Sequence, residues 1–207
     1  DNESKKLVAE LIAGKENNLD KVRTIHNWVV QNTRYIGLEF GIHGHKPYKA
    51  YEVFSRKYGD CKDKATLLIS MLKEAGIPAD IVIIRTRNLG NIDPYPSSLA
   101  VFNHAICYVP EFDLYLDGTA EYSGTSELPF SDQGAPVMVV NKDKREFLTT
   151  PVFSPDANTN TDVYNVSLDE EGGILIDGRR DLKGQFNAYY RQQFQEEKTR
   201  KQNLEKS

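Results

Sequence analysis

Three residues that could together cleave an amide bond stand in order along this chain: Cys61, His104 and Asp117. A thiol attacks a carbonyl as its thiolate. An imidazole can take the thiol proton and return it to the leaving amine. A carboxylate can hold the ring's tautomer and stabilise its charged form. Cys61 follows Gly59 and Asp60 and opens the run Lys62-Asp63-Lys64-Ala65-Thr66-Leu67-Leu68. Asp60 sits where a helix N-cap belongs, and Asp63 falls in the first turn, where acids are favoured. Cys61 is therefore expected at the first helical position, where unpaired N–H groups and the positive end of the macrodipole favour a thiolate. Asp60 beside it opposes ionisation, whereas Lys62 and an imidazolium at His104 favour it.

His104 lies in Val-Phe-Asn-His-Ala-Ile-Cys-Tyr-Val (101–109), a strand-like run. Alternation puts His104, Ile106 and Tyr108 on one face and Asn103, Ala105 and Cys107 on the other. In Leu-Tyr-Leu-Asp-Gly-Thr (114–119), Asp117 shares a face with Tyr115. If the two strands pair through the turn at 110–113, His104 and Asp117 fall on neighbouring strands on the same side. A helix N-terminus packed against that face would bring Cys61 to His104. Plainer readings stay open on position and parity. Free cysteines commonly serve as small buried hydrophobes, His104 could be a satisfied core histidine, and Asp117-Gly118 an ordinary turn pair. Cys107 is read as core.

The other histidines offer less. His26 falls on a helix and is read as a surface or satisfied residue, with Trp28 beside it as core. His43 and His45 form a His-x-His pair in a loop over 34–48 punctuated by Gly37, Gly41 and Gly44. A zinc site needs at least three protein ligands, and a set of His43, His45 and His104 has no recognised spacing. That loop is read as polar, lining the cleft that Cys61 faces. No metal and no cofactor are expected.

The elements that must position these residues are legible in the hydrophobic pattern. Ser4 is expected to cap a helix bearing Leu7, Val8, Leu11 and Ile12, closed by Gly14. Asn17 or Asn18 opens a second helix with Leu19, Val22, Ile25, Trp28 and Val29 at helical spacing. A short helix over 50–58 delivers the chain to Gly59, read as a turn glycine. The Cys61 helix then buries Ala65, Leu68, Leu72 and Ala75, with Leu67 and Met71 alongside, and ends at Gly76 and Pro78. Strands follow over 79–86, 101–109, 114–119, 136–140 and 145–150, with a long loop over 87–98. Residues 151–162 read as a linker. A hairpin over 163–168 and 174–179 turns through Asp169-Glu170-Glu171-Gly172-Gly173, which lacks the alternating acids of a calcium loop. A polar helical segment occupies 184–206.

The totals exclude several classes. The 207 residues suffice for one ordinary domain with an appendage. A net charge of −4 gives no electrostatic case for nucleic acid. Two cysteines make no disulfide framework. No apolar run approaches the roughly 20 residues of a membrane span. The chain opens at Asp1 without a leader, which says little about compartment.

Four separate words now carry a resemblance: Tyr58-Gly-Asp-Cys-Lys-Asp-Lys-Ala-Thr-Leu-Leu68, Ala75-Gly-Ile-Pro-Ala79, Asn103-His-Ala105 and Leu116-Asp-Gly-Thr119. In this order, with Trp28-Val-Val-Gln-Asn-Thr-Arg-Tyr35 upstream, they resemble the transglutaminase-like domain of bacterial multidomain proteins. The resemblance covers roughly residues 1–150. It implies an α+β, papain-like fold, with a helix bearing an N-terminal cysteine packed on an antiparallel sheet. It maps the nucleophile onto Cys61, the base onto His104 and the orienting acid onto Asp117. The implied activity is cysteine-dependent acyl transfer or hydrolysis at amide bonds of a protein, peptide or small amide. A non-catalytic protein- or peptide-binding module of a larger cell-envelope protein is the alternative. Residues 163–207 resemble more weakly the start of a β-rich domain that follows such cores in large secreted or periplasmic bacterial proteins. Further domains of the same chain and a periplasmic or secreted location are the corresponding expectations.

Overall fold

A computed structural model describes residues 2–37, 40–93, 96, 98–141 and 145–206. The chain divides into two units, Asp1–Val152 and Phe153–Ser207. The first opens with α1 (Asn2–Ile12) and α2 (Asn18–Asn32). Asn17 caps α2 by accepting the Asp20 N–H at 2.8 Å, as expected of an asparagine at this point. Ser4, expected as a cap, lies inside α1 and is buried. A two-residue strand β1 (Arg34–Tyr35) follows, then α3 (Ala50–Arg56), the equally short β2 (Tyr58–Gly59) and α4 (Cys61–Glu74). β1 and β2 pair in parallel, Tyr35 opposite Gly59. That pairing lies partly in a stretch whose sequence reads as loop, and two residues carry no period to reveal it.

The principal sheet consists of β3 (Asp80–Ile84), β4 (His104–Val109), β5 (Leu114–Leu116), β6 (Pro136–Val140) and β7 (Arg145–Thr149). Its spatial order is β5-β4-β3-β6-β7, every neighbouring pair antiparallel. β4 starts at His104 rather than at 101, because Leu99–Val101 form a 3-10 turn whose Ala100 N–H is capped by the Ser98 hydroxyl. Arg85 donates to the carbonyls of Leu89, Gly90 and Val101, and Asn103 accepts the Thr86 N–H at 2.9 Å. The turn residues 142–144 expected between β6 and β7 lie outside the described residues.

One core joins the α4 residues Leu67, Leu68, Met71 and Leu72 to Val22, Ile25 and Val29 of α2 and to Cys107, Val109 and Leu116 of the sheet. Cys107 is thus core. The α4 stripe packs on the Cys107 side of β4, not on the side shared by His104 and Ile106 as the sequence suggested. His104 meets the helix start because it is the first residue of β4, at the end of the sheet.

Gly59 serves close packing rather than a turn. A Cβ there would stand 2.6 Å from the Asp63 Cβ and 3.0 Å from its Oδ2, so any side chain would force β2 away from α4. The second unit holds a hairpin of β8 (Asn160–Leu168) and β9 (Ile174–Leu182), then α5 (Gln185–Phe194) and α6 (Glu197–Lys206). The expected single polar helix is two. Among the described residues, no helix is long and apolar enough to cross a membrane.

Candidate active site

The first turn of α4 is buried throughout: Cys61 is 9% exposed, Lys62 7%, and Asp63 and Lys64 are fully enclosed. Four consecutive polar or charged residues out of water require partners, and each charged one has them. Asp60 and Asp63 close a reciprocal capping box, each accepting the other's backbone N–H at 3.3 Å. Asp63 also accepts the Tyr48 N–H at 2.8 Å and the Arg56 guanidinium at 2.9 Å. The Lys62 ammonium pairs with the Asp60 carboxylate. Lys64 donates to the Thr33 carbonyl at 2.6 Å, and its charge faces Glu121 and Asp117; burial, opposed by those two carboxylates, lowers its pKa.

Opposite the helix start stands His104. Its Nε2 lies 3.3 Å from Asp117 Oδ2, and Cys61 acts on the imidazole from nearby. Burial pulls the His104 pKa down. Asp117, Cys61 and the more distant Asp132 overcome it and hold the imidazole well above its ordinary value. Asp117 lies just past β5. Its Oδ1 accepts the Thr119 N–H at 2.7 Å and the Thr119 hydroxyl at 2.8 Å, which leaves Oδ2 for the histidine. Burial alone would raise the Asp117 pKa, but His104 and Thr119 outweigh it, and the net shift is downward. The structure thus brings Cys61, His104 and Asp117 together. It does not bring His43 to them: that ring stacks on Tyr48 at 3.8 Å, and its Nδ1 meets the Lys46 carbonyl at 3.0 Å.

Three further described residues lie close to this cluster. His26, read as surface or satisfied, is satisfied and buried beneath the site. Its Nε2 donates to the Asp117 carbonyl at 3.2 Å and its Nδ1 faces the Thr125 hydroxyl at 3.2 Å. Burial lowers its pKa. Lys64 is the second. The third is Asp132, 1% exposed, with Oδ2 at 4.0 Å from His104 Nε2. Burial and the nearby Asp117 push its pKa up to about 6. Helical spacing from Cys61 could have flagged Lys64; nothing in the sequence flags Asp132. Among the described residues, His104, Asp117 and Asp132 form the one group of possible metal ligands, with donor atoms within 4.8 Å of one another.

The family model described as "Transglutaminase-like superfamily" matches residues 5–123, which contain most of α1, all of α2 to α4 and β3 to β5, and the Cys61–His104–Asp117 cluster. The chain belongs to the transglutaminase-like superfamily. No curated protein matches it. Among solved structures it is similar to a "putative protease" from Parabacteroides distasonis, at 19% identity and a TM-score of 0.56, covering 83% of this chain and 34% of that one. A "putative cysteine protease" from Cytophaga hutchinsonii is 23% identical, with a TM-score of 0.43, over 57% of this chain and 37% of that one. The chain thus spans about a third of each of these proteins. At such identity the first likeness concerns the fold alone: the α+β, papain-like arrangement of the transglutaminase-like superfamily, with Cys61 on α4 against an antiparallel sheet. That family fold is one of cysteine-dependent hydrolases and acyltransferases.

Proposed function

We propose that the chain performs acyl transfer at an amide bond through a thioester on Cys61. The observation that carries this reading is the His104 imidazole with its Nε2 3.3 Å from Asp117 Oδ2 and with Cys61 close enough to raise its pKa. His104 takes the Cys61 proton, and the thiolate attacks the carbonyl carbon to give a tetrahedral oxyanion. The backbone N–H of Cys61, at a helix start where no intrahelical acceptor exists, is one donor to that oxyanion. Collapse breaks the C–N bond, and the imidazolium gives its proton to the leaving amine. A thioester remains. His104 then deprotonates water, for hydrolysis, or an amine, for transamidation, and the incoming oxygen or nitrogen displaces the thiolate, which recovers the proton. Asp117 donates nothing and accepts nothing covalently. It fixes the tautomer that presents Nδ1 to the sulfur and stabilises the imidazolium. A protein, peptide or small amide is the substrate class.

The test is alkylation of Cys61 by iodoacetamide against pH, together with mass-spectrometric trapping of an acyl adduct from a peptide and amide library. A free thiol with a pKa near 8.5 is only about 1% ionised at pH 6.5, so His104→Ala is expected to slow alkylation there roughly a hundredfold. The adduct should appear on Cys61 and vanish in Cys61→Ala. An inert thiol with no dependence on His104 would sink the proposal.

A further inference from the structure

Asp132 presents a buried oxygen that the triad does not account for. It ends the turn Phe130–Asp132 between β5 and β6. Its backbone is pinned on two sides. The Gln133 side chain donates to the Leu128 carbonyl at 2.8 Å, and the Thr150 hydroxyl bonds the Asp132 carbonyl while accepting the Ala135 N–H at 2.9 Å. Gly134 makes the intervening bend at φ +61°, with its N–H on the Thr150 carbonyl at 3.2 Å. The carboxylate so placed spends Oδ1 on the Ser131 hydroxyl at 2.9 Å. Oδ2 is buried and has no hydrogen-bond partner. Buried polar atoms are nearly always paired, and an orphan is a cost the fold tolerates for a reason. This one faces the Nε2 of His104 at 4.0 Å.

We propose that Asp132 is a second acid of the site, a positioning residue whose carboxylate holds His104 as imidazolium from the side that Asp117 leaves open. The inference rests on the catalytic reading of Cys61 and His104. Nε2 carries one proton, and Asp117 at 3.3 Å receives it, so Asp132 at 4.0 Å acts through charge. Two neighbouring carboxylates resist joint ionisation unless a cation lies against both, and the imidazolium is that cation. Other charged groups are engaged elsewhere. Lys64 on α4 donates to Thr33 while facing Asp117 and Glu121. Arg85 is spent on the carbonyls of Leu89, Gly90 and Val101, and Arg87 lies over the Phe130 ring at 4.5 Å. Asp132 therefore answers to Asp117 and His104. When it holds a proton, the imidazolium has one carboxylate against it. When it ionises, the imidazolium has two, and the thiolate–imidazolium pair is favoured over the neutral pair. With its pKa near 6, this gain sets in as the pH rises through that value.

The experiment follows Cys61 alkylation against pH in the full chain for wild type, Asp132→Asn, Asp132→Glu and His104→Ala, with circular dichroism to establish folding. Loss of one opposing charge is worth at least about one pH unit on the imidazole, so Asp132→Asn should alkylate roughly tenfold more slowly at pH 7. Its profile should lose the inflection near 6, and Asp132→Glu should recover it in part. A folded Asp132→Asn whose profile superimposes on wild type, while His104→Ala collapses, overturns the role of Asp132 and leaves the catalytic reading standing. A His104→Ala profile identical to wild type removes both. Should Asp132→Asn fail to fold, the His104 ring resonances of the unaltered protein decide by NMR. A titration step near 6 ahead of the ring's own main step supports the coupling, and a single step without it refutes the coupling.

Discussion

The first turn of α4 and the β8–β9 hairpin are both regular and both rich in charge, yet they differ in what has left the water. In the α4 turn, Lys62, Asp63 and Lys64 are buried in succession, each with a partner. In the hairpin, nine residue pairs form an unbroken ladder, but all its residues except Leu182 are exposed, including Val166 at 61% and Leu168 at 73%. Its Arg180–Asp162 ion pair lies at the surface. Backbone hydrogen bonding is equally complete in the two places. Burial of paired charge is confined to the first, and there it sets the thiol of Cys61 against an imidazole. Regular structure alone marks no site, whereas enclosed and satisfied charge does, because its desolvation must be compensated group by group.

That contrast can be broken by removing a charge from the enclosed turn. Asp63→Ala deletes the acceptor for Arg56 and for the Tyr48 and Asp60 N–H groups at once. Removing one partner of a buried pair costs about 3–5 kcal/mol, and the lower end applies because the Arg56 side chain is 20% exposed. Urea denaturation should show a loss of about 3 kcal/mol in the first unit. A midpoint equal to wild type would mean that the turn's charges are not held as described. An apolar pair tests the same contrast. Leu68→Ala, at a fully buried position, should lose about 2–5 kcal/mol. Leu168→Ala on the hairpin should stay within about 0.5 kcal/mol of wild type. Equal losses at the two sites would show that the hairpin buries its leucine against something in solution.

Much of the enclosed turn was legible because its signals are local. A capping aspartate, an acid in the first turn and a 3.6-residue apolar stripe are all written between Asp60 and Glu74. The strand alternation that puts His104 and Asp117 on one side was legible for the same reason. What escaped depends on distant chain segments returning. Asp132 is a lone acid in a short turn, and only the packing of that turn beside the start of β4 gives it a role. Lys64 sits in a polar stretch, and the Thr33 carbonyl that accepts it lies 31 residues earlier. The side of β4 that α4 covers was misjudged, since alternation divides a strand into two faces without saying which one the helix takes.

Gly59 sharpens the comparison at its boundary. It reads as a turn glycine, yet its part is to let β2 pass 2.6 Å, measured from an ideal Cβ, from the Asp63 Cβ. The obstructing atom is next to the helix backbone and cannot swing aside. Gly59→Ala should therefore push β2 from α4 and cost about 1–3 kcal/mol, as overpacking does elsewhere. Cys61 alkylation should slow with it, because the capping box that sets the helix start includes Asp63. Gly172→Ala in the hairpin turn has open space around its Cβ, so only the strain of its φ of +86° would register, with no effect on Cys61.

The smallest effect is expected from chelation. His104, Asp117 and Asp132 converge closely enough to invite a divalent ion. To ligate one through Nε2, however, the imidazole must be neutral and give up the proton that faces Asp117. Metal binding competes with protonation of its ligands, and both carboxylates raise the His104 pKa. An ion would also draw the ring away from its service to Cys61. Incubation with EDTA should accordingly leave the rate and pH profile of Cys61 alkylation unchanged. A fall in either would mean that a metal orders the cluster, and the role given to the proton on His104 would then have to be rebuilt around that ion.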